Sequence, residues 1–158
     1  MSSVPRLSLD GPTAQIETAS FAAAAFGDVW LLYQHVPIIN DDHWRRYVEF
    51  LKGLGQMHGV IVTGTAGTTL TRPQRQEIGE LQIQMSKPRL AILTNSYATR
   101  ATLPMLTLVG VRARGFKREE LPAALSWLGR DALRSGAEAF VSRVGLPSPG
   151  GDAVASPL

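Results

Sequence analysis

The chain has 158 residues, 44% of them hydrophobic and 18% charged, enough apolar material for one buried core, which excludes a chain disordered throughout. It has no cysteine, which excludes disulfide scaffolds, zinc–thiolate sites, thiol nucleophiles and iron–sulfur clusters. The formal net charge is only +3 although the pI is near 9.7, so total charge by itself points to no partner.

Residues 1–12 hold Pro5, Gly11 and Pro12 and little apolar pattern, which predicts a flexible lead-in. No apolar run follows the start at Met1–Arg6, so a secretory signal is not expected and a cytoplasmic location is. Phe21–Phe26 is ambiguous: four alanines favour a helix, whereas a hairpin through Gly27 and Asp28 would make it a strand. Val29–Val36 is a β-prone apolar run ended by Pro37 and predicts a buried strand. The apolar stretch 21–36 carries Asp28 and falls short of the roughly 18 to 20 residues of a membrane span, so it reads as core and no membrane insertion is expected.

Asn40, Asp41 and Asp42 mark a helix start, with a capping side chain and acids in the first turn. Trp44, Tyr47, Val48, Leu51 and Leu54 follow at helical spacing, and Gly53, Gly55 and Gly59 end the helix. Val60–Thr63 predicts a short buried strand. Thr71 with Gln74 fits a capping box, with Pro73 tolerated in the first turn of a helix bearing Ile78, Leu81 and Met85. Leu90–Leu93 is the next strand, and 97–109 should be helical, with Pro104 either kinking the helix or lying in the first turn of one that begins near Thr102. Val111–Phe116 alternates apolar residues with arginine, as a half-exposed edge strand does. Glu119–Leu128 and 130–144 read as two amphipathic helices, and the Gly, Pro and Ser of 145–158 as a disordered tail.

This order predicts one α/β domain over 13–144. It would hold a mixed, largely parallel sheet of about five strands covered by helices, with an extra C-terminal helix that either completes the core or pairs two subunits into a homodimer.

Gly64–Thr69 follows a strand and precedes a helix, but it lacks the lysine of a Walker loop and the third glycine of a dinucleotide fingerprint. His35, His43 and His58 have no metal-ligand spacing, there is no nucleophile elbow, and Asp41 and Asp42 are explained by the helix start. A non-enzymatic role without cofactor or metal is the expectation.

Charge is placed unevenly. Residues 10–49 hold six acids against two basic residues, a balance of −4, and residues 72–118 hold nine basic residues against two acids, a balance of +7. In open α/β sheets ligands meet the loops at the carboxyl ends of the strands. Those loops would bring Thr68, Thr69, Thr71, Arg72, Arg75, Asn95, Ser96, Thr99 and Arg100 to one rim beside two helix starts. Hydroxyls, guanidinium groups and helix N-termini together suit an anion or an acidic or phosphate-bearing protein surface. The same residues are also ordinary caps and solvated surface. Arg112, Arg114, Lys117 and Arg118 carry no nucleic-acid motif, and arginines on an edge strand deter strand-to-strand aggregation, so nucleic acid is not expected as a partner.

The stretch from about Val29 to Gly129 resembles the STAS domain of bacterial anti-anti-sigma factors and sulfate-transporter tails. The resemblance rests on the strand Val60–Thr63, the loop 64–71, the helix from Arg72 with Pro73, Gln74, Arg75 and Gln76, the strand from Leu90 and the helix after Ser96. It implies a regulatory module that docks a protein through that loop and the adjacent helix starts. It also implies a hydroxyl switched by phosphorylation, for which Thr71 and Thr69 are the positional matches; no Asp precedes either threonine. Two other roles fit the same residues: a sensor of a phosphorylated small molecule or nucleotide at that rim, and a self-assembling structural module.

Overall fold

The computed structural model describes residues 11–64, 71–97, 100 and 110–145. The predicted lead-in up to residue 10, most of the loop 64–71, most of the predicted helix 97–109 and the tail from 146 lie outside the described residues.

Strand β1 (Ala14–Glu17) pairs antiparallel with β2 (Phe21–Phe26), which pairs antiparallel with β3 (Val29–Gln34). The sequence reading placed no strand at β1, yet half-buried Ala14 and Ile16 alternate there with exposed Gln15 and Glu17, the period of a one-sided strand. The ambiguous segment 21–26 is a strand. Gly27, at φ 63°, takes the first position of a two-residue turn that sets Phe26 opposite Val29, where a type II′ hairpin places glycine. All six residues of β2 are buried. Ala22 and Ala24 face one core cluster and Ala23 and Ala25 the other. Small side chains let packing layers approach the strand from both sides, and that burial overrides alanine's helix propensity.

Helix α1 (Asp41–Lys52) starts as its sequence predicts: the Asn40 side chain accepts from the His43 backbone N–H at 2.9 Å, and Gly53 closes the helix. Strand β4 (Gly59–Gly64) leads towards α2 (Arg72–Gln84), whose capping box is formed. Strands β5 (Arg89–Leu93) and β6 (Ala113–Phe116) follow, then α3 (Leu121–Trp127), a 3-10 turn (Asp131–Leu133) and α4 (Arg134–Gly145). The last helix expected over 130–144 is therefore divided into a 3-10 turn and an α-helix.

The sheet has six strands, one more than predicted because of β1, in the order β1-β2-β3-β4-β5-β6. The last three pairings, β3–β4, β4–β5 and β5–β6, are parallel. Strands added in sequence order in one direction, with crossovers of one hand, put α1 and α2 on the same face. Residues of both helices share a core cluster with Trp30, Leu32 and Phe21. Helices α3 and α4 cover the opposite face, over Leu31, Ile61, Ala91 and Phe116. Ala137 and Phe140 of α4 are buried there, with the Phe140 ring edge-on to Phe26 at 5.9 Å. The apolar stripe of the C-terminal helix thus completes the core. Among the described residues no helix is long and apolar enough to cross a membrane.

Candidate ligand cavity

The two faces of the parallel strands are sealed unequally. On the α3–α4 side Ile61, Ala91 and Leu93 are at most 4% exposed. On the opposite side Val60 and Val62 of β4 and Leu90 and Ile92 of β5 are only half-buried. Strands of a parallel sheet are ordinarily covered on both faces. Here the four aliphatic side chains instead line an open cavity of about 510 Å³. That volume lies within the range of small-molecule sites, roughly 300 to 1,000 Å³.

The other walls come from β3 and the helices. Trp30, Leu32 and Gln34 project from β3, Trp44, Tyr47 and Leu51 from α1, and Ile78, Leu81 and Met85 from α2. The spacing that made α1 and α2 amphipathic therefore builds the chamber as well as the core. The polar residues gather at the carboxyl ends of the strands: Thr63 and Gly64 of β4, Thr94, Asn95 and Ser96 after β5, and Arg118 after β6. Gly64 sits where β3 and β4 come close, since a Cβ there would lie 2.4 Å from the Gln34 carbonyl oxygen.

Arg118 is tied to this end at two points. Its backbone N–H donates to Asn95 Oδ1 at 3.2 Å, and its guanidinium reaches the Tyr33 hydroxyl at 3.4 Å. Asn95 thereby links the end of β5 to the segment after β6. The Gln34 amide, buried beside the cavity, donates to the carbonyls of Val36 and Pro37, each at 3.1 Å, and shapes the loop into α1.

The predicted rim is divided. Asn95 and Ser96 line the cavity. Thr71 lies instead on a separate cleft of about 340 Å³ between α1 and α2, with Asp41, Arg45, Glu49 and Glu77. Its Oγ1 accepts from the Gln74 N–H at 3.3 Å, and its own N–H donates to Gln74 Oε1 at 3.0 Å. Arg72 and Arg75 are exposed at the start of α2, and Arg100 is half-buried. Thr68, Thr69 and Thr99 lie outside the described residues. Sequence reasoning placed Arg118 only among the edge-strand bases, and Trp30, Trp44 and Tyr47 only in the core. One signal was available: Arg118 lies just past the carboxyl end of an edge strand, and carboxyl ends are where open α/β sheets meet their ligands.

The histidines serve the framework. His43 Nδ1 lies 2.6 Å from Ser20 Oγ, and His58 Nε2 lies 2.7 Å from the Leu128 carbonyl. His35 packs on Tyr33, and burial lowers its pKa. Arg112 and Arg114 are on the edge strand or beside it, with the Arg114 guanidinium over the Phe116 ring. Among the described residues no group of three or more His, Asp or Glu is placed to hold a metal ion. No family model matches the chain, and no curated protein or solved structure matches it either.

Proposed function

We propose that this chain is a non-enzymatic binding module that takes a small amphipathic molecule into the cavity between the parallel strands and helices α1 and α2. One observation carries this reading: Val60, Val62, Leu90 and Ile92 are half-buried against about 510 Å³ of space that ends in a polar mouth at the strands' carboxyl ends. An apolar chamber with a few convergent polar groups is the usual form of a small-molecule site, and the carboxyl ends are where open α/β sheets place it.

The apolar walls supply the test. A neutral, environment-sensitive dye such as Nile red should bind once per chain and, inside the chamber, brighten and shift its emission to shorter wavelength. Val62→Trp, which fills the chamber, should abolish binding while far-UV circular dichroism and cooperative thermal unfolding stay native, with Leu90→Trp as the second filling variant. An absence of saturable dye binding would overturn the reading.

Docking of a protein at the same end is a second reading, supported by two large apolar side chains exposed there. Ile38, in the loop after β3, is 51% exposed and Tyr97, after β5, is 79% exposed. This is the regulatory role that the STAS resemblance implies, and a cytoplasmic location goes with it. A phosphate on Thr71 would sit at a helix N-terminus, where its charge is favoured. Co-purification from the native host tests the docking role. A partner held by the wild type should be lost with Ile38→Asp and Tyr97→Asp, and a partner retained by both variants counts against the role.

A further inference from the structure

We propose that the molecule taken up is an amphipathic monocarboxylate, with its chain between β4, β5 and α2 and its carboxylate on Arg118. The inference rests on the cavity being a ligand site, and it adds the chemistry of the head group.

Arg118 is the one cation among the described residues that line the cavity. As a residue Arg118 is half-buried, and among the described residues no carboxylate pairs with it. Among the described residues its side chain makes one hydrogen bond, a long one of 3.4 Å to the Tyr33 hydroxyl. A guanidinium carries five donors in a planar fork that matches a carboxylate at two points. A carboxylate seated in that fork would gain charge-assisted hydrogen bonds at both of its oxygens. One fork also fits one negative charge. A phosphate dianion would bring a second charge that no other cation of the described lining neutralises. The side-chain amide nitrogen of Asn95, beside the mouth, can donate to a remaining lone pair of a carboxylate.

The walls behind Arg118 are aliphatic and aromatic, so the rest of the ligand is apolar. Each methylene moved from water into such a wall contributes about 0.8 kcal/mol. Affinity for saturated carboxylates should therefore rise about three- to fourfold per added methylene until the chamber is full, and then level off.

The test is a titration of Trp fluorescence with octanoate, decanoate and dodecanoate, beside decanol and decyl phosphate at matched concentrations. Decanoate should bind about ten- to a hundredfold tighter than decanol, the worth of a charge-assisted hydrogen-bond pair. Arg118→Gln should erase that advantage and leave decanol binding as it was, and Arg118→Lys should keep part of it. Near-UV circular dichroism verifies the fold of both variants. Equal binding of decanoate and decanol by the wild type would overturn the inference, as would equal losses for both in Arg118→Gln. Tighter binding of decyl phosphate would overturn it in favour of a phosphate head. If Nile red binds and no carboxylate does, the head-group inference falls and the cavity reading stands; if neither binds, both fall.

Discussion

The indole N–H of Trp30 donates to the hydroxyl oxygen of Tyr47 at 2.9 Å, and both side chains are buried. The bond joins β3 to α1 across the back of the cavity, where Tyr47 also meets the Phe21 ring edge-on at 5.2 Å. Burial pushes the phenol pKa well above its ordinary value, so Tyr47 stays neutral. Tyr47→Phe removes only the acceptor and leaves the indole N–H without a partner. It should cost about 1–3 kcal/mol in urea unfolding, the penalty of an orphaned buried donor. Pairing it with Trp30→Phe should cost less than the sum of the two single changes, because the second change removes the orphan. Strict additivity would show that water already satisfies the indole.

The start of α2 gives a graded prediction. Thr71→Ala removes one cap acceptor and should cost about 1 kcal/mol. Gln74→Ala should cost more, about 2–3 kcal/mol. The Gln74 side chain both accepts from the Thr71 N–H and donates to the Ile39 carbonyl at 2.8 Å, and it is only 2% exposed. Chemical denaturation of the two variants checks the order. A Thr71→Ala cost at or above that of Gln74→Ala would show that the Ile39 bond adds nothing.

Where the local signal and the packing agreed, the sequence was sufficient. Asn40, the Thr71–Gln74 box and Gly53 are short-range features, and the structure uses each as its spacing predicts. The alternation of strands and helices likewise carried the α/β class. Phe21–Phe26 was illegible because four alanines state a helix preference that only the two-sided burial of β2 reverses. The cavity was illegible for a related reason. Val60, Val62, Leu90 and Ile92 are apolar whether a strand is fully covered or half-open, so periodicity cannot separate a core face from a lined chamber. Arg118 looked like any edge-strand base because its relation to Tyr33 spans 85 residues of sequence. Thr71 was assigned to the rim by topology, and the structure turns it towards α1.

Gly59 and Gly64, at the two ends of β4, should respond differently to the same substitution. A Cβ on Gly64 would lie 2.4 Å from the Gln34 carbonyl oxygen, a backbone atom fixed by the parallel β3–β4 pairing. A Cβ on Gly59 would meet the Leu128 side chain at 2.8 and 2.9 Å, and a leucine tip can turn away where a carbonyl cannot. Gly64→Ala should therefore cost at least the roughly 1–3 kcal/mol of an overpacked site. It should also disturb the polar mouth of the cavity. Gly59→Ala should cost less, because Leu128 can repack and alanine reduces the entropy of the unfolded chain. Thermal unfolding of the two variants decides it, and a more damaging Gly59→Ala would show that the β3–β4 pairing relaxes more readily than the Leu128 packing.

Two groups at opposite ends of β3 make stability fall on the acid side. The Arg130 guanidinium donates to both Asp28 oxygens, at 3.0 and 2.9 Å, and that bond holds the carboxyl pKa below its usual 3.8. Burial holds the His35 pKa below its usual 6.5, against the opposing charge of Glu17. In each case the unfolded chain binds the proton more readily than the folded one. Stability from each group is therefore complete above its ordinary pKa and is lost as pH falls through the lower folded value. The urea midpoint of the wild type should fall relative to His35→Gln as pH drops below 6.5, and relative to Asp28→Asn only below about 3.8. The Asp28 effect should be modest and should shrink in salt, because its side chain is 46% exposed and that of Arg130 35%. A wild-type midpoint that rises relative to His35→Gln between pH 7 and 5 would reverse the sign and show that the Glu17 charge outweighs the burial of the imidazole.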